Sequence, residues 1–331
     1  MKWCGQMNNI KKKIQSAEYE FLRSDPDLSN IIYLTVSGSR AYGTNIEGSD
    51  IDLRGVLVET PQYIYGLDTF EQFEETETDT VIFGLKKYVS LCVNGNPNAL
   101  EFLGTREEDI IYNTTAGSLL REQAGIFLSR RVIQSFGNYA SAQLRRLANA
   151  LCRGYYDEAE QEKHLASTFM GQMDHFNRMY TPIEEGAMQV YLSDEEEPRL
   201  LFDVNLKGYP LREFGGIYSE MSNVIKSYGR MNHRNRKKDE KRLYKHGLHL
   251  IRLLVTGEDI LKGKGIITYR AKEHDLFMDI RQGKLSFKEV IKLAESYQKR
   301  FDEAAEKTKL PEEPDMGKVL GMMERIYGGY Y

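Results

Sequence analysis

The sequence predicts an α+β fold in which strands are concentrated before residue 110 and helices dominate from about residue 114 onward. Two observations carry that expectation. The run Ile31-Ile32-Tyr33-Leu34-Thr35-Val36 is rich in β-branched and aromatic residues and stops at Ser37-Gly38-Ser39, the pattern of a buried strand ending in a turn. Further on, Ala140 to Leu147 and the run from Lys163 to Tyr180 repeat apolar residues at helical spacing. With 331 residues and 41% hydrophobic content, the chain is long enough for two domains or one large one with a sizeable core.

Taken in order, residues 8 to 24 read as a helix leading into the core. After the 31–36 strand, Arg40 to Gly43 open a short helix, and the segment from Asp50 to Val58 resumes as a second strand with side chains alternating between faces. Glu71, Glu74, Glu75 and Glu77 make an acidic stretch before a third strand over Asp79–Phe83. Leu85 to Val93 reads as a helix. Asn94-Gly95-Asn96-Pro97-Asn98 breaks it, and Pro97 suits the first turn of the next helix, running to Leu103, with Glu101 either reaching the active site or, the favoured reading, structural near the helix start. A boundary between 110 and 135 divides the chain into residues 1–125 and a mainly helical domain of residues 126–331. Within the latter, residues 181–229 hold three prolines, the acidic cluster Asp194-Glu195-Glu196-Glu197 and a turn at Gly215-Gly216, and read as an inserted hairpin or lid.

The chemistry centres on Ser49-Asp50-Ile51-Asp52, ten residues after Gly38-Ser39. Backbone N–H groups at the opening of a short helix, with the Ser39 hydroxyl, favour a phosphate, and Gly38 lets the backbone come close. On a strand, Asp50 and Asp52 project from one face. Two adjacent carboxylates repel, whereas Mg²⁺ takes oxygen ligands and keeps water and substrate phosphates in its shell, so a metal site accounts for the pair. Two ions about 4 Å apart stabilise the attacking and leaving oxygens of an in-line phosphoryl displacement, and Asp79 is the candidate third carboxylate.

Gly38-Ser39-Arg40-Ala41-Tyr42-Gly43 followed by Ser49-Asp50-Ile51-Asp52-Leu53-Arg54-Gly55-Val56 resembles the signature of the DNA polymerase β-like nucleotidyltransferase superfamily, and within it the branch associated with RNA-repair pathways. Lys86-Lys87-Tyr88, Gly95-Asn96-Pro97-Asn98 with Glu101, and Lys245-His246 with Arg252-Leu253-Leu254 are similar as well. The resemblance covers roughly residues 31 to 104, with a thinner match between about 241 and 292. It implies a mixed-sheet core with two Mg²⁺ or Mn²⁺ ions, Asp50 and Asp52 as ligands of both, and Asp79 as a ligand and the base for the attacking hydroxyl. Gly38, Ser39, Arg40, Ser49, Lys241 and Lys245 are the expected contacts to a nucleoside triphosphate such as ATP.

The span Arg230 to Lys245 is the second chemical feature, because half of its residues are basic. At helical spacing Lys238, Lys241, Arg242, Lys245, His249 and Arg252 share one face and Leu243, Leu250 and Leu254 another, so one face packs while the other holds a triphosphate or an RNA backbone. Tyr228 and Tyr244 either stack on a base or, the more frequent outcome for tyrosine, are buried in packing. With 45 basic against 49 acidic residues the net charge is −4, so nucleic-acid contact has to come from such a local patch. Cys4, Cys92 and Cys152 show no metal-ligand spacing and read as packing residues of a reducing, cytoplasmic compartment. The six histidines lack zinc spacing. No stretch approaches the ~18 apolar residues of a membrane span. The expected activity is transfer of a nucleoside monophosphate from a triphosphate to a hydroxyl, an RNA 3′ end such as that of a tRNA being favoured. Nucleotidylation of a protein, or a nucleic-acid-binding regulator without catalysis, are the alternatives.

Overall fold

The computed structural model describes residues 9–155, 158–195, 199–234 and 240–331. At its centre is a five-stranded mixed sheet built from β1 (Ile31–Val36), β2 (Leu53–Leu57), β3 (Gln72–Glu75), β4 (Thr80–Gly84) and β5 (Ile110–Asn113), in the order β3-β4-β2-β1-β5. Only the β2–β4 pair is parallel, with Leu53 opposite Thr80 and Leu57 opposite Gly84. A parallel pair needs a crossover, and residues 58–79 supply one that contains the short helix Pro61–Tyr65 and β3.

The alternation of side chains sorts the sheet into two faces. Leu34, Val36, Leu53, Leu57 and Ile82 lie on one, packed against Ile10, Ile14, Tyr19 and Leu28 of the N-terminal segment. Arg54, Val81 and Glu74 are paired across the other face, which is partly closed by an aromatic group. There the Tyr88 ring lies 4.7 Å from Phe102, and the Tyr33 hydroxyl donates to the Phe102 carbonyl at 2.8 Å.

Local chemistry moves several boundaries. The expected helix over 8–24 is broken into 9–14, a 3-10 turn at Ala17–Tyr19 and Phe21–Ser24, with Arg23 donating back to the Ile14 carbonyl at 2.9 Å. The short helix begins at Gly38 rather than Arg40, and β2 begins at Leu53 rather than Asp50. The second shift has a visible cause. Arg40 takes the carbonyl oxygens of Asp50 (2.9 Å) and Ser49 (2.7 Å), groups that would otherwise have to bond in a sheet ladder.

The helices that follow the sheet strands begin with α1 (Leu85–Val93), bounded as the sequence predicts, and α2 (Pro97–Glu101), capped by the Asn96 side chain. Then come α3 (Thr115–Glu122), α4 (Arg131–Tyr155), α5 (Glu158–Met179), α6 (Leu211–Arg234), α7 (Glu240–Leu261), α8 (His274–Arg281), α9 (Phe287–Lys307) and α10 (Met316–Gly328). Two compact units result, Met1–Leu144 with Tyr244–Tyr331, and Arg145–Leu243. This grouping differs from a division at 125/126, because the chain after Tyr244 returns to the unit that holds the sheet.

The second unit holds a hairpin, β6 (Met188–Leu192) paired with β7 (Leu200–Val204), inside the segment expected to carry one. The expected turn at Gly215-Gly216 is instead interior to α6. A Cβ at Gly216 would lie 2.8 Å from the Tyr180 hydroxyl, so glycine there makes room for a ring rather than for a turn.

α3 tests the packing on β1. A Cβ on Gly117 would sit 2.3 Å from the Ile32 carbonyl oxygen, a backbone atom already accepting from Thr114. Gly117→Ala is expected to destabilise by about 1–3 kcal/mol through overpacking, despite alanine's better helix propensity. Urea unfolding checks this, and an unchanged midpoint contradicts it.

Candidate active site

β1 ends at Val36, and the Ser37 N–H donates to the Asp52 carbonyl at 2.8 Å, so the hairpin sets Asp52 against the turn that follows β1. Gly38 has φ +60°, and a Cβ built on it would fall 1.6 Å from Asp52 Oδ2. Only glycine lets the carboxylate and the turn approach this closely. From the other side comes Asp79. The parallel register pairs Leu53 with Thr80, which brings the preceding residues of both strands, Asp52 and Asp79, together. Asp79 ends the β3–β4 turn at φ +44°, a left-handed conformation unusual outside glycine and found most often at turns and functional sites.

The two acids share a side-chain hydrogen bond. Burial, then that hydrogen bond and the Asp79 charge, pushes the Asp52 carboxyl up to about 6. For Asp79, burial acts upward, but the hydrogen bond from Asp52 and the Arg54 guanidinium outweigh it and hold the carboxyl below its ordinary value. Arg54 grips Asp79 at two points, Nη2 to Oδ1 at 2.9 Å and Nη1 to the carbonyl oxygen at 2.6 Å. Lys245 adds positive potential at both acids.

Asp52, Gly38 and Ser39 line a cavity of about 590 Å³ whose lining also includes Lys245, His249 and Arg252 from α7. Asn96 and Asn98 line it as well, and α8 contributes Arg281. Arg252 lies 3.6 Å from Glu101 and 3.2 Å from the centre of the Tyr42 ring. His274 Nε2 is 2.9 Å from the Gly43 carbonyl, tying the segment after α7 to the turn.

The sequence-predicted residues are thus distributed unevenly. Asp52, Gly38, Ser39 and Lys245 face one cavity, and Asp79 touches Asp52. Asp50, Arg40, Ser49 and Asp79 line a neighbouring cavity of about 870 Å³, with Asp50 exposed. Asp50 and Asp52 therefore do not share a strand face, because both precede β2. Arg40 and Ser49 hold the loop, the Ser49 hydroxyl accepting from the Ile46 N–H at 2.9 Å. Lys241 is exposed and lies outside the 590 Å³ cavity's lining, while Lys238 falls outside the described residues. The Tyr244 ring is stacked on Phe287 at 4.3 Å, and the Tyr228 side chain falls outside the description. Cys92 is buried, as a packing residue should be.

Sequence reasoning missed the Arg54 clamp and the cavity positions of Gln143 and Arg281. Arg54 had a signal, since it follows Asp52 by two and shares its face. Arg281 had none.

Among the described residues, no group of three or more His, Cys, Asp or Glu is gathered closely enough to hold a metal ion. The Asp52–Asp79 pair nevertheless fits a hard cation chemically, since it offers only oxygen donors.

A small-residue turn at the end of one strand, facing acids at the starts of two parallel neighbours in a mixed sheet, is consistent with the fold of a polymerase β-type core. Residues 4–164 match the model of the RNA repair pathway DNA polymerase beta family (RlaP). The family supports a nucleotidyltransferase in RNA repair. No curated protein matches the chain. Among the described residues, no helix is long and apolar enough to cross a membrane.

The raised Asp52 carboxyl has a consequence for stability. A group that binds its proton more tightly folded than unfolded costs stability once ionised, and here that cost develops as pH rises from 3.8, the ordinary value, to about 6. Asp52→Asn is therefore expected to raise the metal-free Tm at pH 7.5, with the gain fading toward pH 4. Calorimetry at both pH values checks it. A lower Tm at pH 7.5 contradicts the reading.

Proposed function

We propose that the chain transfers a nucleoside monophosphate from a nucleoside triphosphate to the hydroxyl of an RNA 3′ end. The observation that carries this reading is the hydrogen-bonded Asp52–Asp79 pair beside the Gly38-Ser39 turn, with Asp52 lining a cavity that Lys245, Arg252 and Arg281 also line. The acceptor oxygen attacks the α-phosphorus in line, the bond from the α-phosphorus to the α,β-bridging oxygen breaks, and pyrophosphate leaves. Asp79, held ionised by Arg54, receives the hydroxyl proton. Ser39 and the turn hold the triphosphate, and Lys245 with Arg252 offsets its charge. Asp52 and Asp79 would hold a divalent cation, joined by Asp50 once its exposed side chain turns toward them. Such an ion neutralises charge on the attacking and leaving oxygens. The tRNA 3′ end is the favoured acceptor, and ATP is one candidate donor.

Incubating the protein with each α-labelled triphosphate, Mg²⁺ and total cellular RNA tests the proposal. Label is expected in RNA and lost on chelation. Asp52→Asn and Asp79→Asn should each reduce transfer by more than about 100-fold, since loss of a mere outer-shell partner already costs 10–100-fold. Label in protein replaces the RNA acceptor with a protein one, and no label at all overturns catalysis. In the same assay Lys245→Ala is expected to weaken triphosphate binding about tenfold or more, as for loss of a charge-assisted hydrogen bond. Unchanged binding removes Lys245 from the site.

A further inference from the structure

We propose that one wall of the 590 Å³ cavity is a guanine-recognition subsite formed by Glu101, Gln143, Arg252 and Arg281; this rests on the nucleotidyl-transfer reading of the same cavity. Three of these residues are more than nine-tenths buried, with exposures of 8% for Glu101, 5% for Gln143 and 8% for Arg252. Burying such groups is unfavourable unless their hydrogen bonds are made. Yet Glu101 Oε1, Gln143 Oε1, Arg252 Nε and Arg281 Nε have no hydrogen-bond partner within the protein. Orphaned buried polar atoms are uncommon in native structures, and four on residues of one cavity wall mark a place where a ligand completes the bonding.

The rest of each side chain is held in place. Arg252 Nη2 lies 3.6 Å from Glu101 Oε2, and its guanidinium is stacked over Tyr42. Thr268 donates to the Glu101 carbonyl at 2.7 Å, fixing the end of α2. Mutual pairing thus accounts for one side of the Glu101–Arg252 ion pair and leaves a carboxylate oxygen and a guanidinium N–H to offer. The ligand has to bring donors to Glu101 and acceptors to the two arginines.

Among the four bases, guanine alone carries two adjacent donors, N1–H and N2–H₂, on one edge and two adjacent acceptors, O6 and N7, on another. Arginine to O6 and N7 is the commonest specific base contact. Adenine N1 or cytosine N3 opposite Glu101 would set acceptor against acceptor. Either orientation of the Gln143 amide leaves this logic intact, because the carboxylate only accepts and the guanidinium groups only donate. The cavity also falls within the size range of small-molecule sites. The guanine could belong to the triphosphate or to the terminal nucleotide of the acceptor.

Calorimetric titration tests the subsite and separates those sources. The titrants are non-hydrolysable α,β-methylene analogues of GTP, ATP, CTP, UTP and ITP with Mg²⁺, and short RNAs ending in guanosine or adenosine. The expected result is at least tenfold tighter binding of the GTP analogue than of the other three standard bases. A loss of about tenfold for the ITP analogue, which lacks only the 2-amino group, should accompany it, as for a hydrogen bond to a charged group. Glu101→Gln should flatten the ranking, while the GTP–ITP comparison in the unaltered protein stands even if that variant fails to fold. Selectivity confined to RNA ending in guanosine assigns the subsite to the acceptor. Equal binding of all titrants overturns the subsite and leaves nucleotidyl transfer standing. No binding of any triphosphate or RNA overturns both.

Discussion

Everything in the proposed chemistry depends on holding two carboxylates together against their own repulsion. Asp52 and Asp79 come from positions 27 apart in sequence, and what joins them is the single parallel pairing in the sheet, Leu53 with Thr80. Burial, then the hydrogen bond and charge of Asp79, disfavours ionisation here, and the Asp52 carboxyl rises to about 6. Arg54 supplies the counterweight by bonding both the side chain and the carbonyl of Asp79. Strain is stored in the same place, at the left-handed φ of Asp79. A structure under selection for stability alone has no reason to keep this combination, whereas a cation site needs it.

A second constraint is distance along the chain. The turn and acids occupy residues 37–79, while the cationic lining comes from α7 and α8, about 200 residues later. The segment after α7 secures that arrangement through buried polar contacts. Arg270 bonds Asp259 at 2.5 Å, Thr268 reaches the Glu101 carbonyl and His274 the Gly43 carbonyl. The last two of these bonds run from late in the chain to α2 and to the turn, two elements that line the cavity or adjoin it. The far C-terminal part therefore completes the site rather than forming a separate appendage.

Much of this was legible in the sequence because it rests on local patterns. β1 and α1 begin and end where the β-branched run and the Asn94-Gly95 break place them, and Asn96 caps α2 ahead of Pro97 as the motif suggests. Where a side chain reaches across the chain, local pattern fails. The alternation rule put Asp50 and Asp52 on one strand, but Arg40 draws the Ser49 and Asp50 carbonyls away and β2 starts later. Gly215-Gly216 read as a turn, but the space is taken by Tyr180. Glu101 read as a structural residue near a helix start, and the structure adds an orphaned carboxylate oxygen in the cavity wall. Its partner Arg252 was visible as part of a basic stripe, but burial of that arginine was not, since helical spacing alone does not say which turn of a helix enters the core.

The central claim is that the Asp52–Asp79 pair is a divalent-cation site, and Mn²⁺ binding followed by electron paramagnetic resonance tests it without any substrate or turnover. Titrating the purified protein at pH 7.5 should remove free-ion signal in proportion to protein, and Asp79→Asn should abolish that loss while leaving the circular dichroism spectrum unchanged. Equal Mn²⁺ binding by the folded variant and the unaltered protein would contradict the account.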